Sequence, residues 1–427
     1  MSTDSPKQFR QTISAPEFIF KLLAISWRIP FILYNVISGL KRIAGDKYLS
    51  WASTLEDMAR DYPDNPAVKS PDGTLTYREL NERANRFAHF LISKKITKGD
   101  IVTVCMENRP DLLVAYCGCS KVGAVCSLIN TNQRGDSLVH SFNLNRGRLV
   151  FVGEECLEFF NKVKRSVDLK KSELFIVGDP AINRLSAKDD ISNTIAGMPA
   201  TNPPTTGTIS MKDRIAYVYT SGTTGGLPKA AVIINKRTLS AMFWFSRVVT
   251  RIRPHHTVYV PLPFFHTNAL TVGWPAALYS GAAVALRRKF SASKFLEDVR
   301  NFRVTHFVYV GEVCRYLMAQ PDEKGQNRTT LKYVIGNGLR PDIWKAFKKR
   351  YGIKKVFEFY GAAEGVGIFT NFLNFDYSVG TSLTGFAIVN YDIENDRVAR
   401  DERGFLTKVK KGEAGLLIME ITEKTPF

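Results

Sequence analysis

The chain of 427 residues carries 59 Lys and Arg against 40 Asp and Glu, a formal charge of +19; at ~150 residues per domain it holds roughly two or three compact units. Its 44% apolar content, with 28 Phe and 16 Tyr, excludes intrinsic disorder, and 30 Gly with 19 Pro excludes a collagen-like or low-complexity chain. Six cysteines without C-x-x-C spacing exclude a disulfide scaffold and predict buried, reduced thiols in an intracellular protein.

The basic residues come in short scattered groups such as Arg287-Arg288-Lys289 and Lys408-Val409-Lys410-Lys411. No nucleic-acid motif accompanies them, so nucleic acid is not an expected partner; solvated faces come first, and attraction to a membrane surface or an anionic ligand next.

In chain order, Phe18 to Leu40 is the first apolar stretch, interrupted by Lys21, Arg28 and Pro30. Its longest uncharged run, Ile29 to Leu40, falls short of the ~20 residues a spanning helix needs. Lys21, Arg28, Asn35 and Arg42 recur every seven residues, one narrow stripe on a helix. That pattern suits residues 1–45 as a membrane-associating helix with its basic stripe facing headgroups. It equally suits a helix packed on the protein's own core.

From Trp51 the text is globular. Thr76 with Glu79 forms a capping box that opens a helix over Tyr77 to Lys94. Ile101 to Met106 reads as a buried strand, Asp111 to Val122 as a helix, and Ala124 to Ile129, Leu149 to Val152 and Leu174 to Val177 as further strands. This alternation predicts parallel βαβ units. The Pro-, Thr- and Ser-rich text between Gly178 and Arg214 reads as a linker and subdomain boundary. A second series follows, with strands at Ile215 to Tyr219, Ala230 to Ile234, Thr257 to Pro261, Ala282 to Leu286, His306 to Val310 and Lys332 to Ile335. Helices are expected at Lys294 to Phe302 and Ile343 to Arg350. The expectation is an α/β fold of two layered subdomains, residues 46–200 and 201–375, with mainly parallel sheets. A β-rich segment, 376–427, is expected to be incomplete.

The strongest chemical signal is Tyr219-Thr-Ser-Gly-Thr-Thr-Gly-Gly-Leu-Pro-Lys229. Four hydroxyls and three glycines lie within seven residues, with a lysine close behind. Glycines let backbone N–H groups turn to an anion, hydroxyls add donors and Lys229 adds charge, which together make a phosphate cradle. It is not a Walker A loop, because Leu227 stands where G-x-x-x-x-G-K requires Gly. His255-His256 shows no metal-ligand spacing to another His or Cys and reads as a solvated loop.

This loop resembles the ATP/AMP signature of the adenylate-forming superfamily. Pro263-Phe-Phe-His266 is similar to that family's active-site histidine segment. Val310-Gly-Glu-Val-Cys-Arg-Tyr-Leu317, Gly336-Asn-Gly-Leu-Arg-Pro-Asp-Ile-Trp344 and Glu358-Phe-Tyr-Gly-Ala-Ala-Glu364 resemble the fatty acid transport protein branch, the very long-chain acyl-CoA synthetases. So do Met106-Glu-Asn-Arg-Pro110 and Leu128-Ile-Asn-Thr-Asn132. The resemblance implies a ligase that converts a long- or very long-chain fatty acid and ATP to acyl-AMP, then to acyl-coenzyme A, coupled to fatty acid uptake. Thr220, Ser221, Gly222, Thr223, Thr224, Gly225 and Lys229 would hold the β- and γ-phosphates. Glu364 would bind Mg²⁺. Gly336, Asn337 and Gly338 with Tyr360, Gly361 and Ala362 would frame the adenine, Ala363 would adjoin the phosphates, and His266 would flank the reacting carboxylate. Glu312 and Arg315 are expected to be structural or acyl-channel partners. The resemblance also implies a peroxisomal, endoplasmic reticulum or lipid-droplet membrane.

Three departures stand out. Gly226 is an extra residue before Pro228-Lys229. Ala363 stands where the family usually has Thr, and losing one hydrogen bond to a charged group costs about 1.5–3 kcal/mol. The text ends at Thr425-Pro426-Phe427, before the ribose-binding segment and mobile C-terminal domain of the family. The alternative expectation is therefore a membrane-associated fatty acid binding or transport protein impaired in catalysis.

Overall fold

The computed structural model describes residues 13–27, 30, 33, 34, 37–39, 48–220, 226–361, 367–382 and 384–420. In chain order its strands are β1 (Pro66–Ser70), β2 (Gly73–Thr76), β3 (Ile101–Cys105), β4 (Val125–Leu128), β5 (Leu149–Gly153), β6 (Glu173–Val177), β7 (Arg214–Thr220), β8 (Lys229–Ile234), β9 (Thr257–Val260), β10 (Ala283–Leu286), β11 (His306–Val310), β12 (Tyr333–Asn337), β13 (Lys355–Gly361), β14 (Ile368–Thr370), β15 (Phe386–Val389), β16 (Tyr391–Asp392), β17 (Arg397–Val398) and β18 (Leu416–Met419).

Two α/β sheets carry the molecule. The first runs β6-β5-β3-β4-β7-β8 and the second β14-β13-β12-β11-β9-β10-β1-β2. Both are parallel except at their ends, where β8, β14 and β2 pair antiparallel with β7, β13 and β1. The central strands are continuous apolar runs such as Leu-Val-Phe-Val in β5 and Ala-Val-Ala-Leu in β10, buried on both faces as crossover helices require.

Strand pairing crosses the division expected at residue 200. β1 and β2, from residues 66–76, close the second sheet, whereas β7 and β8 extend the first. The Pro- and Thr-rich text before β7 is thus a surface excursion that returns to the sheet it left. It is tied down on the way: Thr205 donates to the carbonyl of Lys121, and Thr206 donates to Glu56.

Local signals account for the helices. Thr76 accepts from the Glu79 amide while Glu79 accepts from the Thr76 amide, so the expected capping box opens Tyr77–Ser93. Pro110 begins Pro110–Val122, and Gly123, at φ 72°, ends it in the left-handed conformation. The helices expected at 294–302 and 343–350 form as Phe295–Asn301 and Pro341–Tyr351. Where the two layers meet, Trp51 packs on Trp274 at 4.6 Å and on Tyr116 at 5.1 Å between ring centroids.

Beyond β14 the described chain forms two two-stranded pairs, β15 with β18 and β16 with β17. All six cysteines are buried and free.

Of the two arrangements expected for the N-terminal helix Ala15–Ser26, the one with its basic stripe outward is not seen at Lys21. Lys21 does not face outward: its Nζ donates to the Asn374 carbonyl at 2.5 Å and sits 4.7 Å over the Phe375 ring, on which Phe18 stacks. A cation that finds a carbonyl and a ring face inward gains more than one left in solvent. The apolar side chains are the outward ones, with Phe20 71%, Leu23 65% and Trp27 71% exposed. Arg28, Asn35 and Arg42 lie outside the described residues. No described helix is long and apolar enough to cross a membrane.

Candidate functional site

The carboxyl edges of the two sheets face each other, the place where open α/β sheets bind ligands. Asn108, just past β3, bridges them. Its side-chain amide donates to the Leu262 carbonyl at 2.9 Å and its carbonyl accepts from the Phe264 amide at 3.0 Å. Nearby, Arg288 past β10 pairs with Asp179 past β6, and Arg109 donates to the carbonyls of Val177 and Gly178. Asn108 and Arg109 belong to the Met106–Pro110 motif: Asn108 fastens the histidine-bearing segment of one sheet to the other, while Arg109 ties together the edge of its own sheet.

His266 follows β9 and heads a π-helical turn, Asn268–Gly273. Its surface is open to solvent, yet the surrounding protein holds its pKa below the usual imidazole range through desolvation. Two residues on, the Asn268 side chain donates to Asn337 at 2.6 Å, so the histidine segment is clipped to the loop that ends β12. Gly273 lets the turn close onto the sheet, since a Cβ there would come within 2.7 Å of Val260 and 2.9 Å of Val308.

The three motifs at the ends of β11, β12 and β13 interlock. Gly336 lies against the Tyr309 carbonyl, where a Cβ would sit at 2.2 Å. Gly338 has φ 79° and passes over Gly311, where a Cβ would meet the Gly338 carbonyl oxygen at 1.7 Å. Beneath the loop, Glu358 of β13 accepts from the amides of Gly338 and Leu339 and from the Tyr309 hydroxyl. Burial pushes the Glu358 carboxyl up to about 7, against the pull of those three donors. Pro341 then starts a helix whose Trp344 donates to Asp376 at 2.9 Å.

Thr220 and Lys229 stand directly opposite each other at the mouth of the β7–β8 hairpin. Gly226 falls within the connection between these two paired positions. His140, on helix Gly135–Leu144, donates from Nε2 to the Pro228 carbonyl at 3.0 Å and pins that end of the loop.

The structure therefore joins the His266 segment to Gly336, Asn337 and Gly338 through Asn268, while Tyr360 and Gly361 lie further along β13, the strand beside β12, where they pair with β14. Tyr360 is half exposed, its ring 6.2 Å from Phe369. Among the described residues no hydrogen bond or ion pair joins Thr220 or Lys229 to this group. Ser221, Gly222, Thr223, Thr224, Gly225, Ala362, Ala363 and Glu364 lie outside the described residues. The described residues hold no cluster of three metal-ligating side chains.

Glu312 and Arg315 pair with each other on an exposed helix face. His256 is less solvated than its sequence suggests: it packs 5.0 Å from the buried His306, and burial with its neighbours pushes its pKa down to about 4. A polar cavity of about 220 Å³ opens at the ends of β3, β4 and β5, lined by Glu107, Asn132, Arg134, Glu155 and Lys289 among others.

Sequence reasoning missed Asn108, His140, Asn268 and Glu358 as working residues. Two of them sat in quoted motifs, and their identity as polar residues inside apolar text was the available signal.

Residues 55–410 match the model of the AMP-binding enzymes. The chain is 36% identical over 398 residues to the medium/long-chain-fatty-acid–CoA ligase FadD6 of Mycobacterium tuberculosis, covering 93% of this chain and 64% of that protein. It is 34% identical over 392 residues to human long-chain fatty acid transport protein 6, covering 90% and 61%. The chain thus spans under two thirds of the length of these relatives. In fold it is similar to a Mycobacterium tuberculosis fatty acyl CoA synthetase, with TM-score 0.68 and 20% identity over 85% of this chain and 68% of that one. The anthranilate CoA ligase AuaEII, crystallised with anthranoyl-AMP, gives TM-score 0.71 and 21% identity over 83% and 68%.

Proposed function

Because the chain belongs to the AMP-binding enzyme family, we propose that it activates a long- or very long-chain fatty acid with ATP and passes the acyl group to coenzyme A. The observation that carries this reading is the bond from Asn268 to Asn337 that clips the His266 segment to the Gly336–Leu339 loop, with Tyr360 on the neighbouring strand β13.

In the first step a fatty acid carboxylate oxygen bonds to the α-phosphorus of ATP and pyrophosphate leaves. In the second the coenzyme A thiolate bonds to the acyl carbon and AMP leaves. The chain's own task is to orient anions and offset their repulsion. The 220–229 loop, entered at Thr220 and left at Lys229, supplies donors and a cation to the phosphates. The Gly336–Leu339 backbone, free of side chains at Gly336 and Gly338, leaves a flat edge for the purine, with the exposed Tyr360 ring beside it. His266, held below the ordinary imidazole pKa, is neutral at pH 7 and offers a hydrogen bond to the carboxylate without adding charge. Glu364 would hold Mg²⁺ together with the nucleotide phosphates, since that ion takes oxygen ligands and would offset the phosphate charge.

ATP–pyrophosphate exchange driven by palmitate and longer acids tests this reading; a folded preparation that binds nucleotide but gives no acid-dependent exchange would overturn it.

A second reading has its own observation, the outward apolar face of Ala15–Ser26. We propose a membrane surface as the partner of that face, since a patch of exposed Phe, Leu and Trp suits a bilayer interface. Fatty acid binding indifferent to ATP would favour a transport protein over a ligase.

A further inference from the structure

We propose that Glu358 is a positioning residue, its carboxylate setting the path of the Gly336–Leu339 loop and thereby its fit to a purine nucleotide; this rests on reading that loop as nucleotide-facing. Two successive backbone amides around a residue in the left-handed conformation form a nest that ordinarily takes an anion. Here Gly338 is that residue, at φ 79°, and both amides of the nest, Gly338 and Leu339, are given to one oxygen of Glu358. The nest is therefore filled from within the protein, which leaves the opposite side of the loop for an uncharged ligand edge and the phosphates for the glycine- and hydroxyl-rich loop elsewhere.

The carboxylate itself has little freedom. It is 3% exposed, it is the last residue of β13 paired with β12, and its second oxygen accepts the Tyr309 hydroxyl from β11. One side chain thus ties together the last turns of three adjacent strands. A carboxylate buried this deeply is costly to keep charged, and its pKa of about 7 reflects that cost. The titratable groups that face it are Tyr309 on β11 and Cys314 on helix Gly311–Met318, both pushed well up by their own burial and by Glu358. A core position that served packing alone would be filled at lower cost by an apolar residue.

Binding of AMP by calorimetry, with thermal unfolding recorded on the same samples, tests the assignment. Glu358→Ala leaves two loop amides without an acceptor, and AMP affinity should fall about tenfold to a hundredfold. Glu358→Gln restores a neutral acceptor of the same shape, and affinity should return to within about threefold of wild type. The difference in affinity between wild type and Glu358→Gln should vary from about pH 6 to about pH 8.5, because AMP's own titration is common to both and only Glu358 differs. Wild-type affinity in Glu358→Ala would overturn the assignment. If that variant does not fold, Tyr309→Phe takes its place: removing one donor should move the pH-dependent difference upward, and an unmoved profile would overturn the assignment. Wild-type protein that binds no AMP would instead remove the nucleotide reading, and this inference with it.

Discussion

Replacing Gly311 by Ala should damage nucleotide binding more than it damages the fold. Its Cβ would lie 1.7 Å from the Gly338 carbonyl oxygen, while real Cβ contacts essentially never fall under 3.0 Å. The loop would have to retreat by about 1.3 Å to restore even that limit, and both partners are backbone, so no side chain can swing aside. Overpacking of this kind costs about 1–3 kcal/mol of stability. A displacement on the order of 1 Å at a positioned site can cost roughly a hundredfold in function. The retreat also draws the Gly338 and Leu339 amides away from Glu358. The assay is AMP affinity by calorimetry beside the thermal midpoint. Gly404→Ala is the control: at φ 82° with nothing within 4 Å, it should cost about 1–2 kcal/mol of backbone strain and leave AMP affinity unchanged. Gly311→Ala that binds AMP within about threefold of wild type would refute the claim that this contact sets the loop.

Asn108→Ala should leave the Leu262 carbonyl and the Phe264 amide buried and unpaired, each at about 1–3 kcal/mol, and thermal unfolding should show a drop of several degrees. Burial holds His306 neutral and pushes its pKa down to about 3, below the ordinary value of 6.5. Its contribution to stability is therefore complete above about pH 6.5 and is lost as pH falls toward about 3; His306→Gln should flatten urea midpoints over that window. Phe20→Ser with Leu23→Ser and Trp27→Ser should abolish binding to anionic vesicles in a flotation assay and shift the thermal midpoint little, because these side chains are largely exposed and only the Trp27 ring meets a distant residue, Arg251, among the described contacts.

Local chemistry was legible in the sequence and pairing across distance was not. The Thr76–Glu79 capping box needs only neighbours three residues apart, and it forms as read. The apolar runs that became β3, β4, β9 and β10 announced themselves by composition. Which sheet each run joins depends on partners far along the chain, and no local pattern told that β1 and β2 would close the second sheet or that β7 would lie beside β4. The glycines of the 310–317 and 336–344 motifs could be seen, but not that Gly311 and Gly338 meet each other. The N-terminal helix shows the same limit. Of its seven-residue stripe only Lys21 is described, and where that side chain points was decided by the Asn374 carbonyl and the Phe375 ring, some 350 residues away in the chain. Asn108 read as one polar letter within a motif, and only the approach of the Leu262–Phe264 backbone gives it work.

The central claim is that one site holds a purine nucleotide and a long acyl chain joined at the carboxylate. Calorimetric binding of a non-hydrolysable acyl-sulfamoyl adenosine, compared between palmitoyl and acetyl forms, measures this directly. The palmitoyl form should bind at least about a hundredfold tighter than AMP and displace it, while the acetyl form gains far less. Equal affinity of the two forms, or a palmitoyl form that binds without displacing AMP, would contradict it.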